Sequence, residues 1–495
     1  MKRIILLLLL IPLIGNSQNK NETTRNEKLD YFIALTDSLR TNLGIPGVGL
    51  VIVNDNKVIY NEGLGYSNIT PKTPVTKNTL FTIGSNTKAF TGVLIAKLVA
   101  NGKMKWDDPL KKYVPELDLK EDYIENNVTI ADALSHATGL ERNDALWKYK
   151  NISRDSLLAS LKNLDFVADF RSSYVYNNLM FTVAGIAAER ATGKAWESLI
   201  TSEILSPLGM NDTYTYFDEF ITHKNKSIGY KADGLTPEPP VITTAIAPAG
   251  AISSTPKDMS KWLLMLVNDG KHNNTSFLMP ESYNYIMSPH KRISIRNKDE
   301  LWYYYAGLGG FSKNGNRNIG HSGAIDGQNS KLIIRPDNGF GIVVMTNKIS
   351  DYKDLIADYA QEWFIEGTVT RQYEKEYGLE AINHAYVIKT LLDAGKENDA
   401  KDYFKNIDKV KLGLHLEANI NALGYIFLNE EKIEESVFLF ELNTQSFPNS
   451  ANAFDSLGEA LLKKGDKTEA KKAYKKSLEL NPNNDNARKV LKSLE

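Results

Sequence analysis

The stretch that organises the chain is Phe81–Phe90, F-T-I-G-S-N-T-K-A-F, in which Ser85 and Lys88 stand three residues apart. The apolar run that follows, closed by Gly102, predicts a buried helix that begins at about Ser85 and ends at a glycine C-cap. Residues three apart share one helix face, so an amine would lie within reach of the serine hydroxyl. A helix N-terminus favours negative charge and disfavours a cation, which eases formation of both the alkoxide and a neutral lysine. The stretch therefore predicts a serine nucleophile that is activated without a histidine.

The composition is that of an ordinary globular protein with more than one domain. A length of 495 residues predicts two or three domains, and 42% of the residues are hydrophobic and 24% charged. A formal net charge of −1 argues against nucleic acid or an anionic membrane as a partner. The chain has no cysteine, which excludes disulfides and thiol catalysis.

Residues 1–17 have the features of a secretory signal peptide. They combine a basic start, an apolar run and small residues at Gly15 and Ser17, so we expect cleavage before Gln18. The apolar run is short for a spanning helix, although an uncleaved anchor is the alternative. We therefore expect a periplasmic or secreted protein whose mature chain has no transmembrane segment.

Strand patterns occur near both ends of the first two thirds of the chain. An amphipathic helix is predicted around Leu29–Leu43, followed by two strands joined by a turn at Asn54–Asn56. A late strand pair turns at Pro336–Gly339, and the segment between the two strand pairs is mainly helical. These patterns predict an α+β domain over residues 27–367. In it an antiparallel sheet flanked by helices meets a helical lobe, with an active site at the seam.

Residues 380–495 are predicted to form a separate all-α domain of repeats. The stretches E-A-N-I-N-A-L-G-Y-I-F from Glu417 and A-N-A-F-D-S-L-G-E-A-L from Ala451 are 34 residues apart, the tetratricopeptide spacing. A degenerate helix pair over Ala385–Ile407 is predicted to precede them. Such repeats indicate a protein partner. Because two repeats are close to the minimum for a stable stack, we expect the first helices to pack against the preceding domain.

Two further motifs accompany the first stretch. Y-V-Y-N-N carries Tyr176 and Asn178 as Y-x-N ahead of a helix, and N-I-G-H-S-G-A-I-D-G carries His321 and Gly323 before the late strand pair. A-D-A-L-S-H-A-T-G-L, which ends at Leu140, lies between the first stretch and these two motifs. In this order and spacing the chain resembles the class C β-lactamases and their penicillin-binding and esterase relatives over roughly residues 29–364. The resemblance implies a serine β-lactamase/transpeptidase-like fold and a serine hydrolase.

The resemblance also implies a role for each catalytic residue. Ser85 attacks a carbonyl carbon and forms an acyl-enzyme, while Lys88 and Tyr176 share the general-base and general-acid work. The sequence leaves open which of the two accepts the serine proton. A phenol beside an ammonium is expected to have a lowered pKa. Asn178 is expected to orient Lys88 and to bind a substrate amide.

The segment around His321 is expected to form the substrate side of the site. It would lie as an edge strand, small at Gly323 so that substrate can approach. By resemblance, the backbone N–H groups of Ser85 and Ala324 form the oxyanion hole. His136 and the other histidines lack the spacing of metal ligands, so neither a metal nor a cofactor is expected.

One departure from the family affects the substrate. β-Lactamases of this class carry Lys-Thr-Gly where this chain has His321, Ser322 and Gly323. A side chain that is mostly neutral at pH 7 replaces a cation. If His321 recognises an anionic substrate group, affinity for such substrates should fall as pH rises through the histidine pKa, near 6.5 if unperturbed. This replacement weighs against β-lactam turnover and favours an exported carboxylesterase or a peptidase of D-amino acid peptides. The alternative is a non-catalytic penicillin- or peptidoglycan-sensing protein that binds a protein through its repeats.

Overall fold

The structure, a computed structural model, describes residues 20–241, 244–297, 300–313, 316–369, 371, 377, 382–407 and 409–494. The signal peptide predicted over residues 1–17 lies outside this part of the chain. No helix within the described ranges is both long enough and apolar enough to cross a bilayer.

One large antiparallel sheet is the framework of the first domain. Its strands are β1 Gly47–Asn54, β2 Lys57–Asn68, β3 Thr73–Pro74, β8 Lys291–Asn297, β9 Glu300–Tyr304, β10 Gly309–Lys313, β11 Asn316–Ile325, β12 Gln328–Arg335 and β13 Phe340–Thr346. Two small pairs lie outside it, β4 Phe81–Thr82 with β5 Ser253–Ser254 and β6 Lys271–His272 with β7 Thr275–Ser276. The nine strands run in the order β3-β2-β1-β13-β12-β11-β10-β9-β8.

Helices cover both faces of this sheet and dominate the C-terminal region that the structure describes. In the first domain the α-helices are Lys20–Asn42, Thr87–Ala100, Asp122–Asn127, Ile130–Leu134, Arg154–Ser160, Asn178–Thr192, Trp196–Ile200, Ser206–Leu208, Phe217–Thr222, Ala247–Gly250, Pro256–Val267, Pro280–Ile286 and Tyr352–Gln361. In the C-terminal region they are His384–Asp393, Glu397–Lys405, Lys409–Asn429, Ile433–Ser446, Ala451–Lys464, Lys467–Leu480 and Asp485–Ser493.

Strand β1 shows why the sheet holds the domain together. Its sequence G-V-G-L-V-I-V-N is apolar on both faces, and successive side chains point to opposite sides. Val51 and Val53 pack into the large core under the helical lobe. Leu50 and Ile52 pack into a second core against the helices at the two ends of the domain. The sheet is therefore covered on both faces.

The two predicted hairpins are confirmed. Strands β1 and β2 are joined by Asp55 and Asn56, which both have positive φ, and β12 and β13 are joined through Gly339 at φ +59°. Strand β1 pairs with β13, for example Leu50 opposite Val344, so the two ends of the domain form one sheet. This is the α+β arrangement that the sequence predicts.

The predicted edge at His321–Ala324 is confirmed, although β11 as a whole lies between β10 and β12. The pairing of β11 with β10 ends at Gly320, so His321–Ala324 pair with β12 alone. The sheet continues beyond β11 because β8, β9 and β10 pair in succession. Most side chains of β9 are only partly buried, so its sequence lacks the strong apolar pattern by which strands are recognised.

The C-terminal helices stack as the predicted repeats. Gly424 lies against the ring of Phe440, and 34 residues later Gly458 lies against Tyr474. A Cβ on either glycine would come within 3 Å of the facing ring, at 2.4 and 2.8 Å respectively, so a larger residue would separate the paired helices. The close approach explains why glycine recurs at this position of the repeat.

The first helices of this region pack against the first domain, as predicted. Tyr386 and Ile388 share an apolar core with Ile69, Tyr230 and Leu235 of that domain. Polar contacts border this core: the side-chain nitrogen of Asn383 donates to the carbonyl of Asp233 at 2.7 Å, and Lys72 pairs with Asp393 at 2.8 Å. The repeats are therefore docked by both apolar and polar contacts.

Candidate active site

The turn that carries Ser85 is fixed from two sides. Residues Gly84–Asn86 form one 3-10 turn that leads directly into the Thr87–Ala100 helix. On the helical side the N–H of Ile83 donates to the carbonyl of Ile252 at 3.0 Å. On the sheet side the hydroxyl of Ser330 donates to the carbonyl of Ile83 at 2.8 Å. The nucleophile predicted from the sequence thus lies between the lobe and the sheet.

The structure brings the three predicted catalytic side chains together. The Lys88 nitrogen lies 3.2 Å from the Ser85 oxygen, one helical turn away. The Tyr176 hydroxyl donates a hydrogen bond of 2.9 Å to the same oxygen. A serine oxygen with an amine and a phenol in direct contact has the geometry of an activated nucleophile.

The surroundings of Lys88 leave one direction for its lone pair. The side chain is fully buried, and its nitrogen donates to the amide oxygen of Asn178 at 2.7 Å and to the carbonyl of Ala249 at 2.8 Å. Both partners are acceptors only, so they engage the two N–H groups of a neutral amine and the lone pair faces Ser85. Burial, and then the nearby Arg142, lower the pKa of Lys88 well below its ordinary value, while Asp144 acts in the opposite direction.

An acidic residue orients the amide of Asn178. The amide nitrogen donates to one oxygen of Asp144 at 2.9 Å, so the amide oxygen must face Lys88. Asp144 is itself held by the indole of Trp147 at 3.1 Å and by the Nε of Arg142 at 2.7 Å. Since a carboxylate only accepts hydrogen bonds, this arrangement settles which end of the amide meets the lysine.

The expectation of a lowered pKa for Tyr176 is wrong. Burial raises the pKa of Tyr176 to about 12, and the hydrogen bond with Ser85 only partly opposes this effect. The Lys88 nitrogen and the Arg142 guanidinium lie over the ring, 4.8 and 4.9 Å from its centre. Desolvation therefore outweighs the nearby positive charge, and the phenol stays protonated at neutral pH.

His136 supports the segment that carries Tyr176. Its Nδ1 accepts the backbone N–H of Asn177 at 3.0 Å, so the proton of the neutral ring is on Nε2. The imidazole packs against the Tyr176 ring with centres 4.4 Å apart. Burial lowers the pKa of His136 well below its ordinary value. This neutral histidine contacts the back of Tyr176 rather than Ser85.

His321 is buried and makes a hydrogen bond at each ring nitrogen. Its Nδ1 donates to the carbonyl of Ser322 at 2.6 Å, so its Nε2 accepts from the hydroxyl of Tyr304 at 2.9 Å. Burial, followed by the charge on Lys88, lowers the pKa of His321 to about 3. The expectation that it titrates near 6.5 is therefore wrong, because that value belongs to a solvated imidazole.

Gly323 and Ala324 lie directly beside the nucleophile turn. A Cβ on Gly323 would lie 1.9 Å from the carbonyl oxygen of Ile83, so only glycine permits this approach. From the turn on the facing side, a Cβ on Gly84 would lie 2.7 Å from the backbone nitrogen of Ala324. The backbone N–H of Ala324 is therefore adjacent to the turn that carries Ser85.

Two cavities meet at Ser85. The larger is an open groove of about 940 Å³ along β11, with Tyr304 and Trp302 among its lining residues. The smaller, of about 210 Å³, lies on the other side of the serine. Ser85, Arg142 and Ala324 line both cavities, so a substrate that extends on both sides of the nucleophile has room.

Motif reasoning missed Arg142, Asp144 and the carbonyl of Ala249. The signal for the first two was the charged pair in E-R-N-D, directly after the S-H-A-T-G-L motif. The carbonyl carries no side-chain signal at all. As for metals, no group of three or more histidine or carboxylate side chains is placed to bind an ion in the part of the chain that the structure describes.

Comparison with known proteins identifies both regions. The family described as "Beta-lactamase" matches residues 32–365, and "Tetratricopeptide repeat" matches residues 451–484. "Protein flp" of Staphylococcus aureus (strain MW2) is 25% identical over 349 residues, 68% of each chain. "Unguisins hydrolase ungD'" of Aspergillus campestris is 30% identical over 318 residues, 61% of this chain and 58% of the relative. The octameric penicillin-binding protein homologue from Pyrococcus abyssi has a TM-score of 0.59 at 25% identity, covering 76% of this chain and 82% of that one.

Proposed function

This chain belongs to the beta-lactamase family of serine hydrolases, and we propose that it cleaves an ester or amide through an acyl-enzyme on Ser85. The observation that carries the proposal is the setting of Lys88. A buried amine whose two N–H groups are engaged by carbonyl oxygens presents its lone pair to the serine hydroxyl. The lowered pKa of Lys88 and the raised pKa of Tyr176 favour the lysine as the first base.

In the proposed acylation, the proton of Ser85 passes to the neutral amine of Lys88 as the serine oxygen attacks the carbonyl carbon. The negative charge that forms on the carbonyl oxygen is bound by the backbone N–H groups of Ser85 and Ala324. The Tyr176 hydroxyl then protonates the leaving group, and the Lys88 ammonium returns a proton to the phenolate, so both groups regain their starting protonation states. The acyl-enzyme and the free leaving group result.

In the proposed deacylation, a water molecule occupies the position of the departed leaving group. Water gives a proton to the neutral Lys88 as it attacks the acyl carbon, and the Tyr176 hydroxyl protonates the departing Ser85 oxygen. The Lys88 ammonium then returns a proton to the phenolate, which restores both starting states. Asn178 keeps the lysine in place in both halves of the reaction and can also receive a substrate amide.

We propose short esters or D-amino acid peptides as the substrate class. The neutral His321 stands where the family's β-lactamases carry a cation, which weighs against β-lactam turnover. Under this proposal the hydrolase domain comprises residues 27–367 and the repeat domain residues 380–495. The protein is exported through a signal peptide at residues 1–17 and binds a protein partner through its repeats.

Covalent labelling tests the proposal directly. A fluorophosphonate should add to the peptide that contains Ser85, as located by mass spectrometry, and Ser85→Ala should abolish both labelling and ester turnover. Ser322→Ala, which removes a hydroxyl from the same groove, should still be labelled. Labelling without turnover of any ester or D-alanyl peptide would favour the non-catalytic sensing protein instead. Labelling that persists in Ser85→Ala would show that Ser85 is not the nucleophile.

A further inference from the structure

Arg142 presents an unused guanidinium edge at the point where the two cavities meet. It is half exposed, lines both cavities together with Ser85, and lies over the ring of Tyr176. Its Nε donates to Asp144 at 2.7 Å. Neither terminal nitrogen has a hydrogen-bond partner within the residues that the structure describes. The planar end of a guanidinium is the part that binds a carboxylate with two parallel hydrogen bonds.

The lysines that line the same cavities are already engaged. Lys148 pairs with Asp326 at 2.9 Å in the smaller cavity. Lys331 pairs with Asp354 at 2.9 Å in the larger groove, where Lys353 contacts the same carboxylate. Each of these three ammonium groups is therefore paired with a carboxylate that lines the same cavity. Arg142 can accept a second anion without losing Asp144.

The loop that carries Arg142 is held by the Y-x-N motif. The amide nitrogen of Asn177 donates to the carbonyls of Leu140 at 3.1 Å and Glu141 at 2.9 Å, and its amide oxygen accepts the N–H of Met180. The residue before Arg142 is therefore tied to the residue after Tyr176. The guanidinium is positioned before substrate arrives, which lowers the entropy cost of binding.

We propose that Arg142 is the anion-recognition residue of this enzyme and binds a carboxylate that the substrate carries close to the scissile bond. The role that the cation of Lys-Thr-Gly has in β-lactamases is then supplied from the helical lobe instead of from β11. The inference rests on the proposed function, because it specifies the substrate of the same Ser85 site. It predicts that anionic esters and anionic peptides are preferred over their neutral counterparts.

Two matched pairs of esters test the inference on the full-length enzyme. In the first pair, 3-carboxyphenyl acetate and 3-carbamoylphenyl acetate, the charge is on the leaving group. In the second, phenyl 4-carboxybenzoate and phenyl 4-carbamoylbenzoate, it is on the acyl group. Each kcat/KM is divided by the uncatalysed rate of that ester. For at least one pair we expect the wild type to prefer the carboxylate about tenfold or more, as charge-assisted hydrogen bonds allow, with the preference reduced by salt.

Substitution then assigns the preference to a residue. The ratio compared is the corrected kcat/KM of the carboxylate ester divided by that of its carboxamide partner. Arg142→Gln should bring this ratio to about one while turnover of the carboxamide esters persists. Arg142→Lys should retain part of the preference for the carboxylate. The control is Arg190→Gln, since Arg190 is equally exposed and pairs with one carboxylate, Glu116, but stands near the far end of the Asn178–Thr192 helix. Its ratio should equal that of the wild type. Comparing two esters within one variant cancels any effect on Lys88.

Each result has a defined consequence. A wild-type ratio near one on both pairs, or a ratio unchanged in Arg142→Gln, overturns the role of Arg142 while Ser85 remains the nucleophile. In another outcome, Arg142→Gln and Arg142→Lys both fold and yet hydrolyse neither the carboxylate nor the carboxamide esters. That result would place Arg142 in catalysis and overturn its role in recognition. If the wild type hydrolyses none of the four esters and Ser85 is not labelled, the proposed function itself fails.

Discussion

The amine of Lys88 donates a hydrogen bond of 2.7 Å to the amide oxygen of Asn178, a residue 90 positions away in the sequence. Asn178 in turn donates to Asp144, whose other oxygen accepts from Arg142. These contacts link the protonation state of Lys88, the candidate base, to the negative charge of Asp144 and the positive charge of Arg142 on one loop. It makes the pH dependence of the enzyme a direct test of the site.

We expect the acid limb of kcat/KM to report the pKa of Lys88. Activity needs the neutral amine, so it should rise with pH through that pKa, which lies well below 10.5. Asp144→Asn removes an anion that raises this pKa, so the limb should move to lower pH. Arg142→Gln removes a cation that lowers it, so the limb should move to higher pH. The substrate is a neutral ester. Asp326→Asn, in the smaller cavity, is the control and should leave the limb in place. Shifts in the reverse directions would contradict the assignment of Lys88 as the base.

Tyr176→Phe should lower kcat by about two to four orders of magnitude, as expected for loss of a general acid. Its pKa of about 12 means that the phenol does not titrate on the acid side. The residual activity of Tyr176→Phe should therefore rise with pH over the same range as that of the wild type. Lys88→Met should lose both its activity and this rise of kcat/KM with pH. The pH–rate profile of each variant decides this. A Tyr176→Phe enzyme near wild-type rate would move the acid role to another group.

His321 should show no titration between pH 5 and 8. Because its pKa is about 3, the imidazole stays neutral throughout this range, and KM for a carboxylate ester should not change near 6.5. The measurement is KM against pH for the carboxylate and carboxamide members of one ester pair, in wild type and His321→Gln. A rise of KM for the carboxylate alone, centred near 6.5 and absent in His321→Gln, would restore histidine as the anion-binding group.

A chain that ends at Gly367 should retain turnover of small esters and melt at a lower temperature. The catalytic side chains all precede this residue, but truncation removes Tyr386 from the core that it shares with Ile69 and Tyr230. Burial of an aromatic side chain contributes on the order of 1.5–3 kcal/mol, so the loss should be visible by calorimetry. A truncated chain that folds cooperatively yet has no activity would assign part of the active site to the repeats.

Two full-length variants separate docking from folding of the repeats. Tyr386→Ala should destabilise the contact with the first domain, whereas Tyr474→Ala should loosen only the second repeat, where the ring faces Gly458. We therefore expect Tyr386→Ala, but not Tyr474→Ala, to lower the melting temperature of the hydrolase domain. Equal effects of the two substitutions would show that the whole tail unfolds as one unit.

Local patterns in the sequence were sufficient for much of this architecture. The hairpin turns, the serine–lysine spacing and the 34-residue repeats are all determined by residues close together in the chain, so they can be predicted without the fold. The order of the motifs was enough to indicate the family. Strands β8–β10, which the sequence analysis did not identify, were not predictable in this way. Their partly exposed side chains alternate only weakly between apolar and polar residues, and their place in the sheet depends on pairing with β11.

The sequence by itself determined which groups could do the chemistry, and only the tertiary structure decided their protonation states. Ser85, Lys88 and Tyr176 were identified from spacing. The pKa of Tyr176 is nevertheless raised where a lowered value was expected, and the pKa of His321 lies far below the expected 6.5. The reason is physical: a pKa depends on desolvation and on charges that segments distant in the chain bring within a few ångströms. The roles of Arg142 and Asp144 are decided by the same long-range assembly.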